Sequence, residues 1–350
     1  MKRKIASALL IAAACLSLLS GCNGNSAEPQ ADIIEPETQL NEERAEESEA
    51  SKPIPETSLP LIKNEGNNSV SYPYLVCTDA ATWYISKADM ELLGESEYLE
   101  GLESMLPLVD ADFPDAQAVF EGYLTEPVPP VDIYTDFSAK TEVAQSGRPV
   151  GAIYRMSDRR IYLYGSWAQA SFTLLHEYTH YLSMTCADLG LKSGFWAEGI
   201  AEYVSIFVCE NRLIHSINYG LNEEQFALFA SRGLCNEDGS FEPKKYYYGY
   251  SARMHMEENL GEEYFAVSGY TMTLRESQLQ NPLMTSVSYF EAATFMDYLV
   301  KNYGKDTVFM HLDVRQEDFE SAYGKDFKSL FLEWAQYDLE LCEALGIKLD

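Results

Sequence analysis

The sequence between residues 166 and 185 is SWAQASFTLLHEYTHYLSMT. Its apolar side chains recur at helical spacing, and Ser166 with Gln169 three positions later resembles a capping box. Such a box satisfies the backbone N–H groups at the start of a helix. The pattern therefore predicts one helix that begins at Ser166 and ends near residue 185.

Two histidines of this helix, His176 and His180, are four residues apart in the stretch His176-Glu177-Tyr178-Thr179-His180. Positions i and i+4 lie on one face of a helix, so both imidazoles can bind the same metal ion. Glu177 can reach a water molecule at that ion. Two core histidines without a metal are the alternative. Catalytic zinc sites use three protein ligands, so a third ligand must come from elsewhere in the chain.

A second predicted helix, residues 196–210, contains two carboxylates one turn apart, Glu198 and Glu202. Either of them can complete a metal site. The other would then lie one helical turn away, within reach of a ligand histidine as a hydrogen-bond acceptor. The spacing by itself leaves both assignments open.

The two segments together resemble the gluzincin metallopeptidases, because the His-Glu-x-x-His motif is followed after 17 residues by Glu198-Gly199. In thermolysin and aminopeptidase N relatives the Glu before this Gly is the third zinc ligand, which implies Glu198 here and a supporting place for Glu202. The stretch around His176 is also similar to that of clostridial collagenases. Residues 289–341 resemble, more weakly, the helical tail of bacterial peptidase MA-type domains.

The resemblance implies hydrolysis of peptide bonds with Zn²⁺ as cofactor. Zinc lowers the pKa of a bound water to about 7, and Glu177 would accept the proton of that water. The developing oxyanion needs a donor, for which Tyr289 is the first candidate and His255 the second. Gly151-Ala152 keeps only the first two residues of the motif by which aminopeptidase N relatives bind an amino terminus, which favours an endopeptidase.

The other candidate groups have plainer interpretations. His215 and His311 lie in apolar sequence and are expected to be structural. Residues 244–250 have the sequence KKYYYGY. They are interpreted either as an aromatic rim for substrate or as a packed loop. The five cysteines beyond the N-terminal region cannot be paired from sequence, and at least three of them are expected to be buried.

The residues that precede the histidine helix in sequence predict a sheet. Short strands are expected at 72–77, 83–85 and 131–134, a helix at 87–109, and a hairpin from 150–155 and 160–164. A substrate peptide would add to strand 160–164 if that strand lies at a sheet edge, and the alternative is a strand paired on both sides. Helices are expected at 223–232, 289–302 and 327–345, and 306–312 is ambiguous. The predicted fold is α+β, a small mixed or antiparallel sheet lobe (72–165) packed on a helical lobe (166–350), similar to thermolysin.

Composition limits the classes of partner. The chain has 350 residues, of which 46% are hydrophobic and 13% aromatic, enough for a substantial core. The formal charge of −30 repels phosphate backbones, and no basic cluster counteracts it, so nucleic acid is not an expected partner. The mean hydropathy of −0.22 excludes a protein with many membrane spans.

The N-terminus predicts a membrane anchor. Residues 1–21 have a basic start, an apolar stretch and small residues before Cys22, which resembles a bacterial lipoprotein signal. Cys22 would be acylated and become the first residue, and an ordinary cleaved signal is the alternative. Residues 22–71 are rich in Glu, Pro and Ser and predict a disordered acidic tether. The chain would thus stand on the outer face of the cell membrane.

These features together predict a lipid-anchored, extracytoplasmic zinc metallopeptidase that acts on peptides or proteins. The first alternative is a catalytically silent, peptidase-like lipoprotein that binds a peptide, a metal or a cell-wall component. A purely structural lipoprotein is the second alternative.

Overall fold

A six-stranded mixed sheet forms the front of the fold. The computed structural model describes residues 58–138, 151–191, 194–217, 221–257, 282–312, 314 and 318–349. The strands are Ile62–Lys63 (β1), Tyr74–Cys77 (β2), Ala81–Ile85 (β3), Val131–Thr135 (β4), Ala152–Arg155 (β5) and Arg160–Leu163 (β6). Their order is β1-β2-β3-β4-β6-β5, in which β3–β4 and β4–β6 are parallel and the other pairs antiparallel.

One face of this sheet is apolar and packs on the helices. Trp83, Ile133 and Ile161 are neighbours across three strands, and each is at most 1% exposed. Because strand side chains alternate between faces, the next residues along each strand point the other way. There Tyr134 stacks between Tyr84 and Tyr162, with ring centroids 4.1 and 5.4 Å away.

The hairpin predicted before the histidine helix is confirmed, but its second strand is not at the edge. Arg160–Leu163 (β6) pairs with β4 on one side and with β5 on the other. The alternative of a strand paired on both sides is therefore confirmed, and the expectation of a free edge at 160–164 is wrong. The edge strand on this side of the sheet is Ala152–Arg155 (β5).

Eleven α-helices lie in the described part of the chain, which with the sheet confirms the predicted α+β class. They are Lys87–Leu93 (α1), Glu95–Val119 (α2), Trp167–Tyr181 (α3), Gly194–Glu202 (α4), Arg212–Ser216 (α5), Glu223–Ser231 (α6), Pro243–Glu257 (α7), Pro282–Tyr303 (α8), Lys305–Phe309 (α9), Phe319–Tyr323 (α10) and Phe327–Ala344 (α11). Among these described helices, none combines the length and apolar composition that crossing a bilayer requires.

The helix expected at 87–109 is two helices. Helix α1 ends at Gly94, whose φ of 88° is a conformation that glycine adopts without strain. Helix α2 then runs to Val119 and contains Pro107 and Pro114. Prolines usually end a helix, but here the buried side chain of Phe113 and its neighbours hold α2 against α3.

Both helices of the predicted metal site end in a π-helical turn. Helix α3 begins as predicted, because Ser166 Oγ accepts the N–H of Gln169 at 3.3 Å. It continues at Leu182–Cys186 with wider π-helical turns, and α4 does the same at Tyr203–Val208. The sequence patterns predict the extent of these helices and not the change of winding.

Two sequence expectations are corrected by burial. Residues 244–250 are neither a rim nor a loop, because they belong to α7 and its tyrosines Tyr246, Tyr247, Tyr248 and Tyr250 are all buried. The fold also begins before Tyr72. In the segment assigned to the tether, β1 pairs with β2 and Leu59 is 8% exposed. Residues 1–57, with the signal segment, Cys22 and the rest of the tether, lie outside the described residues.

The described cysteines are all thiols. Cys186, Cys209 and Cys342 are buried, which confirms the expectation that at least three of the five are core residues. Burial raises the pKa of the Cys342 thiol to about 12, so this group stays protonated and inert.

Helix α4 is held in place by close packing on α8. Gly199 lies where a Cβ atom would stand 3.3 Å from both the Cβ and the carbonyl oxygen of Ala292. The absence of a side chain lets the two helices approach closely. Trp196, one turn earlier, is 1% exposed and stacks with Phe295 of α8.

We expect Gly101→Ala to reduce the free energy of unfolding by about 0.5–2 kcal/mol, because the usual cost of overpacking exceeds the gain from replacing a glycine inside a helix. A Cβ at Gly101 of α2 would stand 2.3 Å from Cδ1 and Nε1 of Trp167, the first residue of α3. The Trp167 ring cannot move easily because Tyr98 and Phe137 pack against it. Urea denaturation measures the change. Asp110→Ala, at an exposed site of the same helix, is the control and should change stability by less than about 0.5 kcal/mol. Equal stability of Gly101→Ala and wild type would contradict this packing.

Candidate metal centre

Helix α3 carries the histidine pair into the interior. It packs between the sheet, α2 and α4, and every side chain from Ala170 to Tyr181 is buried. Tyr178, between the histidines, stacks on Phe113 of α2 with ring centroids 3.6 Å apart. Apolar and aromatic packing on one side thereby turns His176 and His180, 4% and 3% exposed, toward α4.

Helix α4 supplies two buried carboxyl groups to the same place. Glu198 is 3% exposed and Glu202 is 1% exposed. The two lie one turn apart, but they have different neighbours. Glu198 Oε2 lies 3.2 Å from Nε2 of both histidines. Glu202 Oε1 lies 3.2 Å from Nδ1 of His176, on the opposite side of that ring.

Three donor atoms therefore converge. The Nε2 atoms of His176 and His180 are 3.0 Å apart, and each is 3.2 Å from Glu198 Oε2. Ligand atoms held 2.0–2.1 Å from one tetrahedral zinc ion stand roughly 3.3 Å from each other. Metal ions in proteins are commonly held by His, Cys, Asp and Glu. Among the described residues, the trio of His176, His180 and Glu198 consists of three such side chains, whose donor atoms lie close enough together to hold one metal ion. The residues present fit a zinc ion.

The electrostatics of the site favour a cation. Burial lowers the pKa of His176, but the carboxyl groups of Glu202, Glu198 and Glu177 outweigh burial and raise it well above its ordinary value. Burial raises the pKa of Glu198, and His180 and His176 outweigh it and lower that pKa. A group of buried carboxyls that favours a proton on an imidazole also favours a divalent ion in its place.

Glu177 lies outside the trio, on the side of the sheet edge. It is 1% exposed, and its Oε2 accepts the backbone N–H of Tyr154 in β5 at 2.7 Å. The proposed base thus contacts the edge strand directly. Tyr154 was not identified from sequence, because the strand alternation does not reveal which backbone groups face a neighbouring helix.

Tyr289 is brought next to the site. Its ring centroid lies 6.2 Å from that of His176, and Tyr289 is 2% exposed in α8. The side chain of His255 lies outside the described residues. His215 is exposed on α5, and His311 contacts the carbonyl oxygen of Thr307 through Nδ1 at 2.6 Å.

Sequence reasoning also missed Tyr247. Tyr247 lies in helix α7, in the segment interpreted from sequence as a rim or a loop. Its hydroxyl donates to Glu202 Oε2, and the two oxygens are 2.5 Å apart. The run of tyrosines in 246–250 gave no signal of this contact, because four tyrosines in five positions mark no single face of a helix. No protein-family model matches this chain, and neither does any curated protein or any solved structure.

We expect His180→Ala and Glu198→Ala each to abolish stoichiometric zinc binding, because two remaining ligands do not complete a site. Glu202→Ala should keep one zinc per chain and weaken its affinity about 10–100-fold, the usual effect of losing a partner of a ligand histidine. Metal analysis after dialysis against buffered zinc measures both quantities.

The control for this series is His215→Ala, which removes an exposed histidine outside the trio and should leave zinc content unchanged. Loss of stoichiometric zinc in Glu202→Ala, with zinc retained in Glu198→Ala, would exchange the assignments of the two carboxylates.

Proposed function

We propose that this chain is a zinc-dependent peptidase, acting as an endopeptidase outside the cytoplasm. The observation that carries the proposal is the trio of buried donor atoms, 3.0–3.2 Å apart, contributed by His176, His180 and Glu198. Two imidazole nitrogens and one carboxylate oxygen are the donor set of many hydrolytic zinc sites. Three protein ligands leave one position of a tetrahedral ion open for chemistry.

When bound, zinc would polarise the scissile carbonyl and the attacking water. The residues of the chain would do the remaining work. Glu177 is one residue from a ligand and is held by the N–H of Tyr154, so its carboxylate is oriented before substrate arrives. In this position it would accept the proton of the attacking water and deliver it to the leaving amine.

The edge strand β5 offers the backbone that a substrate needs. Gly151 O accepts the N–H of Tyr164 at 2.8 Å, which makes that pair hydrogen-bonded in the antiparallel ladder. Backbone groups therefore alternate, and those of Ala152 and Tyr154 point away from β6. The contact between Tyr154 N–H and Glu177 agrees with this register. An extended peptide added to β5 would pass beside the metal trio.

Tyr289 is the proposed donor to the oxyanion. The ring of Tyr289 packs against the ring of the proposed ligand His176. Helix α8 holds the backbone of Tyr289 in place. A preorganised hydroxyl near a metal ligand can stabilise the negative charge that develops on the carbonyl oxygen.

The proposed location is the outer face of the cell membrane, through acyl chains on Cys22. Removal of residues 1–21 deletes three positive charges and no negative ones, which makes an already acidic chain more so. An anionic membrane surface does not attract such a chain, so the lipid would provide the attachment.

Glu177→Gln should retain one zinc per chain and lower the turnover of an unbiased peptide library by about 10²–10⁴-fold, because the amide cannot accept a proton. Mass spectrometry of the products measures turnover and also reports the cleavage preference. Glu343→Gln, at an exposed site of α11, is the matched control and should cleave like wild type. If wild type releases no more product than Glu177→Gln, the silent peptidase-like lipoprotein replaces the enzyme as the interpretation.

Tyr289→Phe should lower kcat by about 10²-fold, the effect of deleting one oxyanion donor, with zinc content and KM little changed. Steady-state kinetics on a peptide found in the library experiment separate the two parameters. An unchanged kcat would remove Tyr289 from the reaction.

A further inference from the structure

A buried chain of contacts links helix α7 to the metal trio. The hydroxyl of Tyr247 donates to Glu202 Oε2 at 2.5 Å. The other oxygen of that carboxyl, Oε1, lies 3.2 Å from Nδ1 of His176. The Nε2 atom of the same ring belongs to the trio. Three helices thus meet along one line of polar atoms.

The three residues of this contact network are shielded from water. Tyr247 is 2% exposed, Glu202 1% and His176 4%. The two oxygens of Glu202 have different neighbours, because Oε2 accepts the hydrogen bond of Tyr247 and Oε1 contacts Nδ1 of His176. The phenol restrains Oε2, and the carboxyl group can then rotate little about its last bond. Its other oxygen remains directed at His176.

The phenol itself is firmly held. The ring of Tyr247 meets that of Phe290 edge to face, with centroids 4.6 Å apart, and that of Phe207 at 5.9 Å. Phe290 directly follows Tyr289 in α8. The hydroxyl that fixes Glu202 is therefore located by α8, the helix that also carries the proposed oxyanion donor.

The orientation of Glu202 has a chemical consequence for His176. A carboxylate next to Nδ1 favours the tautomer that carries its proton there, which leaves the Nε2 lone pair directed at the trio. The partners of a ligand histidine commonly change metal affinity by 10–100-fold. A group that fixes such a partner acts on the same quantity.

We propose that Tyr247 is a positioning residue that sets the zinc affinity of the site through Glu202 and His176. The inference rests on the proposed function, since it takes His176 as a zinc ligand. In this proposal Tyr247 acts through its hydrogen bond to Glu202 and not as a metal ligand. Its effect is transmitted by the direction of one carboxyl group.

The test measures zinc dissociation constants of the full chain by competition with a chelator at fixed pH. Tyr247→Phe should keep one zinc per chain and raise the dissociation constant about 10-fold. The matched control is Tyr248→Phe, in the same helix. Its buried hydroxyl donates to Asp297, and burial together with that carboxyl raises the pKa of Tyr248, so this pair has the same chemistry without a link to Glu202. The control should bind zinc within 2-fold of wild type.

A double mutant separates positioning from general packing. If Tyr247 acts only through Glu202, then Tyr247→Phe combined with Glu202→Gln should bind zinc no more weakly than Glu202→Gln alone. Additive losses would mean that the tyrosine influences the site by another route and would overturn the inference. Circular dichroism and thermal unfolding of each variant verify that the chain is folded.

Two other results would also overturn it. One is an unchanged zinc affinity of Tyr247→Phe, and the other is an equal loss in Tyr247→Phe and Tyr248→Phe. Both leave the proposed peptidase intact, because wild type still binds zinc. A wild-type chain without affinity for zinc would instead defeat the proposed function and the role of Tyr247 together.

Discussion

The structure depends on the burial of several ionisable groups at one point between two helices. His176, His180, Glu198 and Glu202 are each at most 4% exposed. Removing such groups from water costs several kcal/mol each unless opposite charge and hydrogen bonds compensate. Here imidazole nitrogens lie 3.2 Å from carboxyl oxygens, and a divalent ion at the trio would compensate further. The close approach of α3 and α4 is a requirement of that balance.

Three other elements of the fold contact the side chains of this site and hold them in place. The sheet supplies its edge strand β5, whose Tyr154 N–H fixes Glu177. Helix α8 packs on α4 at Gly199, and it brings Tyr289 toward the histidine helix and Phe290 against Tyr247 of α7. Helix α7 adds the phenol of Tyr247 to Glu202. Glu177 and Glu202 thus each accept a hydrogen bond from a different element, which helps to keep their carboxyl groups in place before any ligand arrives.

Local patterns predicted much of this fold because their causes are local. The cap at Ser166, the alternation in 131–134 and the hairpin turn after Arg155 depend on residues within a few positions of each other, and the structure contains all three. The break at Gly94 was missed, although its φ of 88° is typical of a glycine that ends a helix. The tyrosine-rich segment 246–250 was interpreted as a rim or a loop because its helical packing becomes visible only against α8 and α11.

The amino-acid pattern was enough to predict the pair of imidazoles one turn apart, the glutamate between them and the two carboxylates that follow, because helix geometry dictates which side chains share a face. It also predicted a sheet ahead of the helices. Three relations became visible only in the folded chain. Glu198 contacts both histidines, whereas Glu202 contacts one of them. Strand β5, and not β6, lies at the edge of the sheet beside the site, and Tyr247 contacts Glu202. The physical reason is that these relations join residues of different elements, and contacts between elements depend on how whole faces pack rather than on the spacing within any one segment.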